Sequence, residues 1–205
     1  MSSESLPLAS YLREHTTPLH HNVEQHPWVI QLLKGSLPLS NYYLFLNLLL
    51  EVYEELESYL AEDSMHMLFR KELMRTDKLK QDLHTFSKLW NLNDLKDSMV
   101  INPYARHLRK DVDLEMGVGH FYTRYFGDFQ GGQILKQTLK TLYNLPEQAL
   151  NFYDFSEFKA KYPQGIDYLR GMINDLPFSK KQKARVLLES KQAFILSSQL
   201  MDLCL

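Results

Sequence analysis

The chain has 205 residues, of which 44% are hydrophobic and 23% charged, with a formal net charge of −2. This balance is typical of a folded globular protein and excludes an intrinsically disordered chain. The near-neutral charge excludes broad electrostatic attraction to nucleic acid or to anionic lipid. The length predicts one domain, residues 1–205. The lone Cys204 excludes an internal disulfide and a cysteine-based zinc cluster, and favours a reducing compartment.

Targeting signals are not evident in the sequence. The acidic start, residues 1–5, lacks the basic and then apolar pattern of a signal peptide. The most apolar window, residues 44–50, contains Asn47 and is far shorter than the ~20 residues that span a bilayer. We therefore expect a cytoplasmic protein without a membrane anchor or a hydrophobic tail.

Helical periodicity dominates the chain. Apolar residues spaced three and four apart from Leu39 to Leu60 predict a helix with Ser40 as its N-cap. Further helices are predicted over 65–74, 77–90, 103–108 after an Asn102 cap, 113–143, and 179–203 with Ser179 as cap. Alternation with period two never exceeds four residues, so we predict an all-α bundle with short connectors. Residues 146–165 are expected to form a covering loop.

The eight histidines do not show the spacing of a common metal motif. A zincin needs the motif HExxH, and a di-iron bundle needs two ExxH motifs; the nearest match, residues 63–66, occurs once. His20 and Glu24 are four residues apart, so Glu24 can hold one imidazole nitrogen and leave the other for a metal. The same spacing is common on solvated helix surfaces, so the pair alone does not separate these two interpretations.

A glycine-rich block, residues 127–133 (GDFQGGQ), lies inside a strongly helical run. Each interior glycine costs a helix ~1 kcal/mol relative to alanine. Such a cost is justified where the backbone must approach something flat or must bend. A phosphate loop does not fit, because no Gly-Lys-Ser/Thr follows and no strand precedes the block. A kinked core helix is the plainer alternative.

The run YTRYFGDFQGGQILK at residues 122–136 resembles the distal-helix signature of heme oxygenases. The similarity continues through residues 143–146, residues 12–20 resemble the proximal segment of that family, and residues 193–196 resemble its last core helix. The resemblance spans roughly residues 8–203. It implies an all-α, single-domain bundle that holds heme b between a proximal and a distal helix.

The activity that the resemblance implies is oxidative cleavage of heme to biliverdin, ferrous iron and carbon monoxide. Dioxygen and an electron-donor protein, either a ferredoxin or a flavin-containing reductase, are then required, and we expect the enzyme to be a monomer. The basic residues Lys180, Lys181, Lys183 and Arg185 either dock an acidic donor or form an ordinary solvated helix face.

By resemblance, His20 is the axial ligand of the heme iron, and Glu24 accepts a hydrogen bond from its second nitrogen. Gly127, Gly131 and Gly132 would let the distal backbone lie almost against the porphyrin and leave room for dioxygen.

Proton delivery is assigned by the same resemblance to Asp128, with Arg124 and Tyr53 as partners through ordered water.

Cations at the pocket mouth would pair with the two heme propionates. The resemblance assigns this role to Arg13, Lys159 and Tyr122. The next anchor is Arg170, with Lys161 as the alternative, because the sequence here is longer than the family pattern.

Two departures from the family pattern stand out. The dipeptide Thr17-Pro18 is expected to start a new helical turn just before the ligand. Ser197 occupies a position where the family often has asparagine. Neither is expected to affect the chemistry.

Two other functions remain open. A heme carrier or sensor would bind heme without degrading it, and would not need Asp128 or Arg124. A thiaminase-type hydrolase of the same fold would need a cysteine in its pocket, for which Cys204 is poorly placed.

Overall fold

The computed structural model describes residues 6–62, 67–90, 100–110 and 113–205, and within these ranges it contains helices and no strand. The predicted all-α class is therefore confirmed. The helices of these ranges, numbered α1 to α10 in chain order, are Leu8–Glu24, Pro27–Leu33, Leu39–Leu60, Thr76–Trp90, Pro103–Leu108, Leu114–Gln130, Gly132–Leu142, Ser156–Lys161, Ile166–Asn174 and Lys180–Asp202. No helix in the described ranges has both the length and the apolar character that crossing a bilayer requires.

Helix α6 is the central element of the bundle. Most of its residues are buried, and it packs against α3, α9 and α10. A side chain at Gly119 would collide with α10, because an added Cβ would lie 2.9 Å from the Ser190 nitrogen and 2.9 Å from the Val186 carbonyl oxygen. The absence of a side chain at Gly119 therefore sets the close approach of α6 and α10.

Several predicted helix ends are confirmed. Helix α5 starts after Asn102, whose side chain accepts from two backbone N–H groups, and α10 starts after Ser179 in a capping box with Gln182. The Ser40 cap is wrong, because α3 already begins at Leu39 behind Pro38. The new turn at Pro18 is also wrong, since α1 runs through this residue without a break.

The helix predicted over 65–74 is not formed in its described part, which contains only a 3-10 turn at Lys71–Leu73. The buried Arg75 explains the difference. Its guanidinium donates to the carbonyl oxygens of Glu72 and Leu73 at 2.9 and 2.6 Å. These carbonyls are thus held by a side chain rather than by a continuing helix.

The helix predicted over 113–143 is formed but divided at Gly131 into α6 and α7. At this point the Gly131 N–H donates to the Gly127 carbonyl at 2.7 Å, and the Ile134 N–H donates to the Gly131 carbonyl in a tighter turn. The helix is therefore interrupted within the glycine block, where the sequence predicted the lowest helix stability.

Residues 146–165 are more ordered than the predicted covering loop. They contain two 3-10 turns and α8. The Asp82 carboxylate on α4 accepts from the backbone N–H groups of Asn151 and Phe152, both at 2.8 Å. Arg75 donates to the carbonyl oxygens of Phe152 and Asp154 at 3.1 and 2.7 Å. Two buried charges therefore fix this segment to the bundle.

Candidate functional site

A cleft opens along α1, α6 and α10. It consists of two adjoining cavities of about 340 and 400 Å³, a size typical of small-molecule sites. The residues that line both cavities, and so mark where they meet, are His20, Thr123, Gly127, Gly131 and Phe194.

One end of the cleft is cationic and polar. Arg13 and Arg170 line it together with Tyr122 and Thr16. Burial raises the pKa of Tyr122, while the Thr16 hydroxyl and the two guanidiniums oppose that rise. Arg170 is also paired with Asp167 at 2.5 Å. The sequence prediction that Arg13, Tyr122 and Arg170 share one site agrees with this placement.

The other end is mainly apolar and reaches the distal acidic group. Its apolar lining comes from α2, α3, α7, α10 and the segment after α7, namely Trp28, Val29, Leu33, Phe45, Leu49, Ile134, Leu135, Phe152 and Met201. Asp128 and Arg124 line the same cavity. The cleft as a whole therefore suits a molecule with an apolar body and an anionic edge.

His20 is the histidine that faces the cleft. Its Nδ1 lies 3.5 Å from Glu24 Oε1, and its ring meets the edge of the Phe194 ring at a centroid distance of 6.1 Å. In the described part of the chain Nε2 has no hydrogen-bond partner, which leaves it able to bind a metal. Glu24 is also 3.5 Å from His21 Nδ1, so this carboxylate serves two imidazoles.

The neighbouring histidines are used differently and line neither cavity. His15 contacts the Tyr11 carbonyl oxygen through Nδ1 at 2.9 Å. His26 caps α2 through Nδ1 and meets Asp202 through Nε2 at 3.1 Å. Of the four histidines in this cluster, His20 is therefore the one that lines the cleft.

Asp128, Arg124 and Tyr53 form one hydrogen-bonded group beside the cleft. Arg124 Nη2 donates to both Asp128 oxygens at 2.9 and 3.1 Å, and the Tyr53 hydroxyl donates to Oδ2. Burial raises the pKa of Asp128, and Arg124 and Tyr53 oppose the rise. Burial alone would lower the pKa of Arg124, but the Asp128 carboxylate, together with Tyr53 and Tyr104, outweighs burial and raises that pKa.

Burial raises the pKa of the Asp128 carboxyl above its ordinary value, and a phenol and a guanidinium hold that carboxyl in place, so the group can take part in proton transfer. The prediction that the three residues act together therefore has a geometric basis.

Sequence reasoning did not assign Ser197 or Phe194 to the site. The Arg124 guanidinium donates to Ser197 Oγ at 3.5 Å, and Ser197 lines the apolar cavity. Ser197, which nothing in the sequence links to the chemistry, therefore contacts the group that contains Asp128. Phe194 lies on the same face of α10, and its membership of the last core helix was the available signal.

The three glycines of the block have different surroundings. A Cβ added to Gly127 meets no atom within 4 Å and points into open space, whereas at Gly131 it would lie 3.2 Å from the Gly127 carbonyl oxygen. At Gly132 it would lie 3.0 Å from the Tyr153 ring. Gly127 therefore leaves space in the cleft itself, and Gly132 serves packing against Tyr153.

Two lysines lie outside the cleft lining. Lys159 places its ammonium over the Phe129 ring at 5.1 Å, and Lys161 is paired with Glu72 at 2.6 Å. Of the two alternatives for the last anchor, the geometry favours Arg170 over Lys161.

A nucleophilic cysteine is not supported. Cys204 is buried away from the cleft, and burial raises the pKa of its thiol to about 12. A thiol at this pKa carries almost no thiolate at neutral pH.

These residues fit a heme. The two arginines suit propionates, the apolar walls suit the porphyrin body, His20 offers a free nitrogen, and the missing side chain at Gly127 leaves space beside it.

Comparisons with known proteins agree with this geometry. A sequence model described as heme oxygenase matches residues 6–202. Heme oxygenase 1 of Synechocystis sp. is 31% identical, covering 97% of this chain and 85% of the relative. Heme oxygenase 1 of Nostoc sp. is 33% identical, covering 79% of this chain and 74% of the relative.

Solved structures show the same fold. Heme oxygenase from Leptospira interrogans has a TM-score of 0.84 and 32% identity, covering 96% of this chain and 98% of that one. Heme oxygenase-1 of Synechocystis sp., solved in complex with heme, has a TM-score of 0.82 and 28% identity, covering 96% of this chain and 91% of that one. The chain belongs to the heme oxygenase family.

Proposed function

We propose that the cleft binds heme through His20 and that this chain cleaves it oxidatively to biliverdin, ferrous iron and carbon monoxide. The observation that carries the proposal is the buried Asp128–Arg124–Tyr53 group beside the space left by Gly127. Heme supplies the redox chemistry and is also the substrate. The protein supplies binding, orientation and protons.

Orientation comes from the two ends of the cleft. Arg13, Arg170 and Tyr122 bind the propionates, with Lys159 adding positive charge beyond the lining. Glu24 holds Nδ1 of His20 and so leaves Nε2 for the iron. The rotation of heme in the cleft depends on these anchors, and it determines which meso carbon is cleaved.

Proton supply comes from the distal group. Tyr53 and Arg124 hold the Asp128 carboxylate in place, and this carboxylate orders the water through which protons are delivered. It acts through this water and not by touching the iron. A heme carrier would have no need to bury this group next to its ligand, so the geometry favours the enzyme.

Electrons from a ferredoxin or flavin reductase enter, we propose, near the start of α10. The first turn of this helix contains lysines and no acidic residue. This arrangement opposes the helix dipole, so it does not serve helix stability. Lys181 is exposed there, while Arg185 is paired with Asp113. Phe194 is thirteen positions after Lys181 on the helix, a distance of ~20 Å at ~1.5 Å per residue.

We further propose that the protein is a monomer, that it is cytoplasmic, and that residues 1–205 act as one domain. The length of the chain and one continuous hydrophobic core in the described residues support a single domain, and the single cysteine supports a reducing compartment.

Hemin titration followed by product analysis tests the function. We expect one hemin per chain, and loss of the heme absorbance with formation of biliverdin when reductant and air are added. Chromatography of the product also reports the cleavage position. A complex that keeps its spectrum under these conditions would identify a carrier and not an enzyme.

The ligand assignment is tested with His20→Ala, with His21→Ala as the matched neighbour. His20→Ala should abolish turnover and change the heme spectrum, and added imidazole should restore the spectrum. His21→Ala should behave like the wild type. An unchanged spectrum in His20→Ala would move the ligand to another histidine.

A further inference from the structure

A second group of histidines lies outside the heme cleft. His107 on α5, His120 on α6 and Glu189 on α10 meet side by side, and none of them lines either cavity of the cleft. We propose that these three residues bind one divalent transition-metal ion, with Zn²⁺ as the best match.

The distances suit a zinc ion. Glu189 Oε2 lies 3.4 Å from His107 Nε2 and 3.5 Å from His120 Nε2, and the three ligand atoms lie within 4.8 Å of one another. Tetrahedral Zn²⁺ with bonds of ~2.0–2.1 Å places its ligand atoms ~3.3 Å apart. Two of the three separations therefore already match, and a small rotation of the half-buried His107 closes the third.

His120 gives the second, independent observation. Its ring is fully buried, yet Nε2 has no hydrogen-bond partner and is directed at Glu189. A buried polar nitrogen without a partner is costly, and a bound cation removes that cost. The orphaned nitrogen therefore indicates a ligand that the protein atoms do not supply.

The other ring nitrogen of His120 has a partner that suits metal binding. Nδ1 lies 2.9 Å from the Tyr104 hydroxyl, which can accept a hydrogen bond from Nδ1–H. This contact leaves the lone pair of Nε2 free, as in metal-bound histidines generally.

Gly119 brings the ligands together. A Cβ at this position would lie 2.7 Å from Glu189 Cβ, so only glycine lets α10 come close enough to place Glu189 beside His120. His107 and Glu189 retain 21% and 17% side-chain exposure, so water can enter and fill the fourth position. Two histidines, one glutamate and a water form a known zinc ligand set.

The test measures metal binding by the full chain, both heme-free and saturated with hemin. Zn²⁺ uptake is measured by equilibrium dialysis, and Co²⁺ serves as a probe because four-coordinate Co²⁺ shows visible ligand-field bands. We expect one Zn²⁺ per chain in both forms and competition between Zn²⁺ and Co²⁺ for the same site. Failure to bind hemin would contradict the proposed function but leave this result unaffected.

Variants assign the site. His107→Ala and Glu189→Gln should weaken Zn²⁺ binding by more than ~100-fold, because loss of a ligand exceeds the ~10–100-fold effect of losing a supporting hydrogen bond. Tyr104→Phe should show that smaller effect and keep the Co²⁺ bands. His84→Ala, an exposed histidine on α4, and the double variant His20→Ala/His21→Ala should bind Zn²⁺ like the wild type.

The outcomes separate clearly. Wild-type binding by His107→Ala and Glu189→Gln, or no stoichiometric Zn²⁺ uptake by the unaltered chain, would overturn the proposal. Loss of binding in the double variant alone would place the ion at the N-terminal histidines and would equally overturn it.

Discussion

Asp128 combines burial with direct access to the cleft. Its carboxylate has 14% side-chain exposure and is held by Arg124 and Tyr53, so its orientation is fixed by two hydrogen-bond partners. Ser197 supports the group indirectly, through the guanidinium of Arg124. A short serine in this position adds one hydroxyl contact to the network and leaves cavity space beside it.

Replacement of Asp128 by asparagine should separate binding from chemistry. Hemin uptake should persist, because His20 and the anchoring arginines are unchanged, while biliverdin yield should fall at least ~100-fold, as for loss of a general acid. Single-turnover assays with product chromatography measure both. Tyr53→Phe removes only one hydrogen bond and should cause a smaller loss. Normal biliverdin formation by Asp128→Asn would show that the carboxyl does not deliver protons.

Helix α6 uses glycine for two distinct purposes along its length. At Gly119 the absent side chain lets α10 pack against the backbone, whereas at Gly127 it leaves the cleft open. The two positions are eight residues apart, and only the later block is conspicuous in the sequence. The glycine that determines helix packing lacked a local signal, because its contacts come from α10.

Alanine substitutions should distinguish these purposes. Gly119→Ala should lower the free energy of unfolding by ~1–3 kcal/mol, as expected for overpacking against a fixed backbone. Gly127→Ala should keep or raise it by up to ~1 kcal/mol through helix propensity, but should weaken hemin binding or change the product isomer. Urea unfolding measures the stability of both variants, and hemin titration measures their affinity for hemin. Equal stability of the two variants would contradict the assignment.

Global stability depends on charges buried far from the cleft. Asp82 has 1% exposure and accepts three hydrogen bonds from Asn151 and Phe152. Burial raises its pKa from 3.8 to about 6 despite those bonds. Because the folded pKa is the higher one, the folded state binds the extra proton between pH ~4 and ~6.

The stability that the Asp82 proton contributes should therefore be fully present below pH ~4 and should be lost as the pH rises through ~6. At ~1.36 kcal/mol per pKa unit, the free energy of unfolding should fall by ~3 kcal/mol in total. The difference in unfolding free energy between wild type and Asp82→Asn should shrink or reverse in sign across this window. Urea unfolding at pH 4.5 and pH 7 measures it, with the exposed Asp77→Asn as surface control. A difference that does not vary with pH would contradict this assignment.

The sequence itself determined the all-α class, the helices α3, α4, α5 and α10, and the weak point of the long helix at the glycine block. Helical periodicity, caps such as Asn102 and Ser179, and glycine content act over a few neighbouring residues. Tertiary structure alone decided where α4 starts, because the backbone N–H groups of Arg75 and Thr76 donate to the Glu57 carboxylate on α3. It alone also brought His107, His120 and Glu189 together. These partners lie 13 to 82 residues apart, so no local spacing relates them. They become neighbours only when burial of the apolar faces packs α3, α5, α6 and α10 together.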